Sequence, residues 1–180
     1  MLFPEGARRR SRCASMDTRP DPDLMKKAAA LLARRPLCRA DLGARLARAA
    51  PGTPVEPVLD RLEQLDLLND AEYAYTFALH RMKRQGWGPA RVDAALGRIG
   101  VPPPVIEAAL GRVRGQLGED AGLGAEIDRL WARRGVPRTP AEARSLAAAL
   151  ARRGFDRDRI SAALRRRLPA ALARRFDTGD

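Results

Sequence analysis

One pattern of residues occurs twice in this chain, and that internal repeat restricts the fold more than any other feature. It aligns Gly100 with Gly154, an offset of 54 positions, with apolar residues in register on both sides of the glycine. Each copy predicts a helix that stops at glycine, a short turn and a further helix. A repeat of this length indicates an array of small helical units. The matching strings are 95–101 with 149–155 and 106–110 with 160–164.

A weaker third copy lies upstream, around Leu46 and Val55–Leu59. A further segment with apolar residues at helical spacing stands in front of each copy, as in the stretch 24–32. No stretch shows the alternation typical of several strands. The sequence therefore predicts an all-α chain of nine helices, arranged as three tandem three-helix repeats. Because each unit would mainly contact its neighbours, we expect an elongated body that can curve.

Residues that start or stop helices mark the boundaries of these units. Thr53 and Thr139 each precede a proline and stand three residues before a glutamate, which predicts a capping box at both places. The glycines expected to end helices are Gly86, Gly100, Gly135 and Gly154, and the other N-cap candidates are Asn69 or Asp70 and Asp156. The predicted divisions are a disordered leader at 1–20, repeats at 21–68, 69–117 and 118–170, and a basic, flexible tail at 171–180.

The balance of charges indicates what the chain binds. Lysine and arginine number 34 against 22 aspartates and glutamates, so the formal net charge is +12. Nucleic acid is the first polyanionic partner to consider, and an anionic membrane surface is the second. No stretch approaches the ~18 consecutive apolar residues of a membrane-spanning helix, and the first residues lack the apolar part of a signal peptide. We therefore expect a cytoplasmic protein with no membrane partner.

Residues that carry catalysis are scarce. His80 is the only histidine, and neither a nucleophile nor an orienting acid stands at helical spacing from it. Cys13 and Cys38 match no metal-binding spacing and are expected to be reduced thiols. Phosphate loops, nucleophile elbows and metal motifs are absent from the sequence. The sequence therefore predicts a protein that is not an enzyme and uses no metal or cofactor.

Basic residues form three groups, in the stretches 81–91, 152–153 and 165–167. Cations near a helix C-terminus are favourable without any ligand, and this effect can account for much of the last two groups. It does not account for Arg91, which is expected near a helix start. We expect contact with phosphate or with an acidic protein surface from the following candidates: Arg81, Lys83, Arg84, Trp87, Arg91, Arg98, Arg152 and Arg153.

Two interpretations of Trp87 stand side by side. Its ring can stack on an unpaired base, or it can pack against the flanking helices, as tryptophans commonly do. Residues that read bases are few, because the chain has one asparagine and three glutamines. Any contact with DNA should therefore be made to the backbone and be independent of the base sequence.

Several strings, taken in order, resemble the RecX family. The resemblance covers about residues 24–168 and rests on the order and spacing of the strings. Asn69-Asp70 stands where the family usually has an acidic pair, the first repeat lacks a glycine in register with Gly100, and 169–180 follows no family pattern. The strings are Leu31-Leu32-Ala33-Arg34-Arg35-Pro36, Leu67-Leu68-Asn69-Asp70 with Tyr73-Ala74, Gly86-x-Gly88 with Arg91-Val92 and Gly100-Val101, and Arg153-Gly154-Phe155 with Ile160.

The resemblance implies a function that composition alone does not. RecX-like proteins are built from three tandem three-helix repeats and lie along the groove of the filament that the RecA recombinase forms on single-stranded DNA. They usually restrain its ATPase, strand-exchange and coprotease activities, and so regulate DNA repair, homologous recombination and the SOS response. We expect a monomeric RecA regulator that also binds single-stranded DNA and, more weakly, duplex DNA. The resemblance implies filament contact at Arg81, Lys83, Arg84 and Arg91.

Two further classes of function compete with this one. A sequence-nonspecific helical DNA-binding or nucleoid protein would share the charge, although no predicted helix carries the several base-reading side chains of a recognition helix. A protein–protein adaptor would use the charge only for solubility. Binding to the recombinase filament, to naked duplex or to neither separates the three classes.

Overall fold

A computed structural model describes residues 19–118 and 121–177, and the all-α prediction is confirmed over these residues. Almost all of the predicted leader at 1–20, including Cys13, lies outside the described residues, as do the last three residues of the predicted tail. No helix in the described ranges is long and apolar enough to cross a bilayer. The helices are α1 Pro22–Arg34, α2 Arg39–Ala49, α3 Glu56–Gln64, α4 Asp70–Gln85, α5 Pro89–Ile99, α6 Pro103–Leu117, α7 Ala121–Arg134, α8 Pro140–Arg152, α9 Arg157–Arg167 and α10 Ala170–Asp177.

The capping residues explain why most helices begin where they do. The Asn69 carboxamide accepts a hydrogen bond from the backbone N–H of Glu72 at 3.0 Å, and Thr139 Oγ1 accepts one from Glu142 at 3.2 Å. Asp156 caps α9 in the same way. These bonds satisfy N–H groups that have no partner inside the helix. The predicted helix ends are also confirmed, since all four glycines follow directly after a helix or its cap residue and have positive φ angles.

The capping box predicted at Thr53 is wrong. Helix α3 begins at Glu56, its N-cap is Val55, and no side chain caps it. The Thr53 N–H instead donates to the Ala50 carbonyl at 3.2 Å and closes the turn that follows α2. Pro57 occupies the first turn of α3 and lacks an N–H, so the helix has one donor fewer for a cap to satisfy.

Three separate apolar cores hold the helices together, and they define three units of the chain. The first unit packs α1–α3 around residues such as Leu42 and Leu46, and the second packs α4–α6 around Val92 and Leu96. The third unit packs α7–α10 around residues such as Ile127. Leucine, valine, isoleucine and alanine fill all three cores, which suits a chain with only 4% aromatic residues.

The last helix, α10, differs from the flexible tail predicted at 171–180. It runs over Ala170–Asp177, and Leu172 is buried in the third core with Phe176 packed against it. Pro169 is the residue before this helix, and its carbonyl accepts hydrogen bonds from the N–H groups of Leu172 and Ala173 at 2.9 Å. The chain therefore has a tenth helix within its described residues, and the third unit contains four helices.

The first and second units share buried residues. Cys38 lies at the start of α2, yet its side chain is fully buried in the core of the second unit, where the thiol donates to the Ile99 carbonyl at 3.8 Å. The Asp70 carboxylate at the start of α4 accepts a hydrogen bond from the Arg39 N–H at 2.6 Å, and so caps α2 from the neighbouring unit. This junction is therefore partly apolar and partly polar.

Candidate nucleic-acid interface

The turn after α4 positions the aromatic residue on which the candidate site depends. Gly86 has φ 64° and ends the helix, and the Arg81 carbonyl accepts the N–H groups of both Gly86 and Trp87. This turn brings the half-buried Trp87 ring back against α4, where it meets Phe77 edge to face with the ring centroids 6.4 Å apart. Such an arrangement is favoured by the charge distribution of the two rings.

Two arginines lie over the Trp87 ring. The guanidinium carbon of Arg81 is 4.8 Å from the ring centroid, and that of Arg91 is 4.1 Å from it. Arg81 also lies 5.0 Å from the Phe77 centroid and donates to Gln85 Oε1 at 2.5 Å. These contacts are the ones expected if Trp87 packs against the flanking helices. That its ring also stacks on an unpaired base stays a prediction. Arg81 is partly buried, whereas Arg91 is exposed.

Backbone hydrogen bonds join this turn to the third unit. The Gly88 N–H donates to the Arg153 carbonyl at 2.7 Å, and the Ala90 N–H donates to the Gly154 carbonyl at 3.2 Å. Both glycines allow this approach, because a Cβ on Gly88 would lie 2.3 Å from the backbone of Gly154, and a Cβ on Gly154 would lie 2.4 Å from the Arg91 nitrogen. The junction thus brings Arg91 next to the turn that follows α8.

A buried carboxylate reinforces the same junction. Glu126 of α7 is only 1% exposed, and it pairs with Arg153 and, at 3.2 Å, with Arg129. Arg129 also donates to the Lys83 carbonyl at 2.7 Å and so satisfies a free carbonyl in the last turn of α4. A Cβ on Gly86 would lie 1.8 Å from the Glu126 carboxylate, so the absence of a side chain there makes room for this network.

The structure therefore brings together most of the predicted site residues from two distant parts of the sequence. We call this set the junction cluster. Its exposed members are Lys83, Arg84, Arg91, Arg129 and Arg152, while Arg153 is partly buried on Glu126. Arg98 lies apart, because it is seven residues beyond Arg91 on α5, or ~10 Å along the helix axis. The junction cluster comprises Arg81, Lys83, Arg84, Trp87, Arg91, Arg129, Arg152 and Arg153.

Sequence reasoning missed Arg129 and Glu126. Their spacing of three residues on α7 signals an ion pair, but it gives no indication that the pair reaches the end of α4. Of the acids next to the cluster in sequence, Asp156 is used as the cap of α9 and Asp93 is exposed on α5. The cluster therefore presents mainly cationic side chains to solvent. Across the described ranges, no group of acidic, histidine and cysteine side chains is arranged to hold a metal ion.

Comparison with known proteins gives consistent matches. The family pattern described as "RecX, second three-helix domain" matches residues 69–110, which cover α4, α5 and the start of α6. Regulatory protein RecX of Halorhodospira halophila is 38% identical over 144 residues, which span 74% of this chain and 81% of the relative. Regulatory protein RecX of Ectopseudomonas mendocina is 34% identical over 152 residues, which span 81% of this chain and 95% of the relative.

Solved structures share the fold. The crystal structure of RecX from Lactobacillus salivarius superposes with a TM-score of 0.67 over 86% of this chain and 95% of that one, at 20% sequence identity. A second crystal structure, of a regulatory protein RecX, superposes with a TM-score of 0.61 over 76% of this chain and 68% of that one, at 18% sequence identity. At such low identity these likenesses establish the arrangement of helices and nothing about individual side chains.

Proposed function

The chain belongs to the RecX family of regulatory proteins, and from that premise we propose that it regulates the RecA recombinase by binding the filament that RecA forms on single-stranded DNA. The observation that carries this proposal is the junction cluster. Its cations come from the second and third units and meet at one place, although they lie ~70 positions apart in the sequence.

The exposed cations of the cluster suit a phosphate backbone. Arg84, Arg91 and Arg152 present planar guanidinium groups, which bind phosphate oxygens through two parallel hydrogen bonds. Each phosphate that is neutralised releases condensed counterions, so the affinity should fall steeply as salt rises. Because these contacts are made to the backbone, exchanging one base sequence for another should change the affinity little.

We propose that the chain inhibits RecA and that it catalyses no reaction itself. A protein that contacts neighbouring parts of a filament favours the filament conformation to which it binds best, and this opposes the conformational cycle that RecA needs. We expect the RecA ATPase, strand-exchange and coprotease activities to fall together, because all three depend on that cycle. The chain would act as a monomer with no cofactor.

The test compares two triple variants that remove the same charge. In the cluster variant, Lys83, Arg84 and Arg152 are replaced by alanine. In the control, the exposed cations Lys27, Arg34 and Arg61 of the first unit are replaced instead. The measurement is the ATPase rate of RecA on single-stranded DNA as each protein is titrated.

We expect the wild type and the control to slow the ATPase at similar concentrations, and the cluster variant to need at least tenfold more protein. If three phosphate contacts are lost, the slope of log affinity against log salt should become shallower by about 2. Equal inhibition by the two variants would show that the junction cluster is only a solvated helix end. Equally tight binding of the wild type to naked duplex and to the filament would favour a nucleoid protein.

A further inference from the structure

An open groove runs alongside α4 between the first and second units, and Arg81 is the one member of the junction cluster that lines it. It has a volume of about 790 Å³. Because α4 has 16 residues and the lining extends from Asn69 to Gln85, the groove is ~24 Å long. Its apolar lining is provided by Leu32, Pro36, Leu37, Leu67, Tyr73 and Phe77, and the side chains of Arg35 and His80 also line it. We call it the α4 groove.

Charges of opposite sign stand at the two ends of the α4 groove. Asp66 and Glu72 line the end next to the start of α4. The Glu72 carboxylate also forms a salt bridge with the Arg112 guanidinium of α6 at 3.2 Å. Arg81 and Gln85 line the other end. A phosphate backbone would be repelled at the acidic end. The residues of the first unit are also close to neutral, since 21–68 contain eight lysines and arginines against seven acids.

An unusual turn holds one wall of the groove open. Leu65 is 43% exposed and Leu67 is 57% exposed, and between them Asp66 has φ 54°, a conformation that residues other than glycine rarely adopt. The Leu62 carbonyl accepts both the Leu67 N–H at 2.9 Å and the Leu68 N–H at 3.3 Å. These bonds bury Leu68 and direct the backbone so that Leu67 stays at the surface. The exposure of Leu67 is therefore built into the turn.

We propose that the α4 groove binds a protein segment with apolar side chains in its centre, a basic end that meets Asp66 and Glu72, and an acidic end that meets Arg81. The complementary pattern of charge and the length of the groove select a peptide over nucleic acid. This proposal rests on the proposed function, because it identifies the segment as part of RecA. Arg81 and Phe77 line the α4 groove and also contact Trp87 of the junction cluster. The groove and the cluster are therefore adjacent, and one filament can contact both.

Two leucines of the same turn provide a matched test. Leu67 lines the groove and Leu65 does not, yet both are exposed, so Leu67→Glu and Leu65→Glu should fold equally well. The binding of each fluorescently labelled variant is measured by anisotropy, first with RecA alone and then with RecA on single-stranded DNA. We expect Leu67→Glu to weaken both interactions about tenfold or more, with an unchanged dependence on salt, and Leu65→Glu to change them less than twofold.

The outcomes separate the two proposals. If the wild type binds RecA and both leucine variants bind equally well, the groove proposal is overturned while the proposed function stands. If the wild type binds neither form of RecA, the proposed function fails, and the identity of the groove's occupant fails with it. A photo-crosslinker in place of the exposed Thr76, which lines the groove, identifies the occupant directly. Crosslinks to RecA support the proposal, and crosslinks to DNA or to a second copy of the chain overturn it.

Discussion

Replacing Gly88 by alanine tests the junction between the second and third units. Gly88 has φ −81°, so alanine fits the backbone conformation and the effect must come from crowding. The new Cβ would lie 2.3 Å from the carbonyl carbon and oxygen of Gly154 and 2.4 Å from the Phe155 nitrogen. Backbone atoms cannot swing aside as the end of a side chain can. The two units must therefore move apart by ~1 Å to reach ordinary van der Waals contact.

The cost follows from what this movement breaks. Two backbone hydrogen bonds cross the junction here, from Gly88 to Arg153 at 2.7 Å and from Ala90 to Gly154 at 3.2 Å. Each contributes roughly 0.5–1.5 kcal/mol, and forcing an extra methyl group into a packed contact costs roughly 1–3 kcal/mol. We therefore expect Gly88→Ala to lower the free energy of unfolding of the third unit by about 2–6 kcal/mol. The three separate cores should remain intact.

Gly97→Ala is the matched control, because Gly97 lies in α5 and a Cβ there would meet nothing within 4 Å. Alanine stabilises a helix interior by about 0.5–1 kcal/mol relative to glycine. The measurements are urea unfolding and hydrogen exchange at the amides of Gly88 and Ala90. In Gly88→Ala these amides should exchange much faster, while those in the middle of α8 stay protected. If Gly88→Ala unfolds at the same urea concentration as Gly97→Ala, the close contact does not exist in solution.

Three further predictions concern single side chains. Glu126→Gln should lower the free energy of unfolding by roughly 1–3 kcal/mol, measured by urea titration, because it leaves the partly buried Arg153 and the exposed Arg129 without their shared counter-charge. Burial raises the pKa of the Cys38 thiol, so the native protein keeps that proton above pH ~8.5, where the unfolded chain loses it. Stability should therefore fall as the pH rises through this range, and Cys38→Ala should remove that part of the pH dependence in denaturation curves. Thr139→Ala should cost about 1 kcal/mol in thermal unfolding, whereas Thr53→Ala should cost almost nothing, since only Thr139 caps a helix.

Local chemistry explains which parts of the fold could be predicted from the sequence. Helix ends at Gly86 and Gly154 were predictable because a residue in the left-handed conformation is needed there and glycine supplies it. The cap at Asn69 was predictable because its hydrogen bond spans only three residues. The helix α10 was missed because its eight residues include only two large apolar side chains, Leu172 and Phe176, and its position depends on packing against a core made elsewhere.

The candidate site was predictable only in part, because some of its contacts join residues that lie far apart in the sequence. The residue types at Lys83, Arg84 and Arg91 indicated a polyanion-binding surface, but their proximity to Arg152 arises from contacts across the junction. The Arg129 side chain bonds to a carbonyl 46 positions earlier in the chain, and a local pattern contains no information about such a contact. The α4 groove was not predicted either, since the exposure of Leu67 results from the backbone of a turn and not from helical spacing.

The two junctions are held together by different contacts. Bending at the first junction would pull the side chain of Cys38 out of an apolar core, so it must expose hydrophobic surface to water. Bending at the second would separate two backbone hydrogen bonds and would expose the Glu126 carboxylate, which is buried against Arg153 and Arg129. A change in the angle between the first two units therefore costs hydrophobic burial, whereas a change in the angle between the last two costs polar pairing.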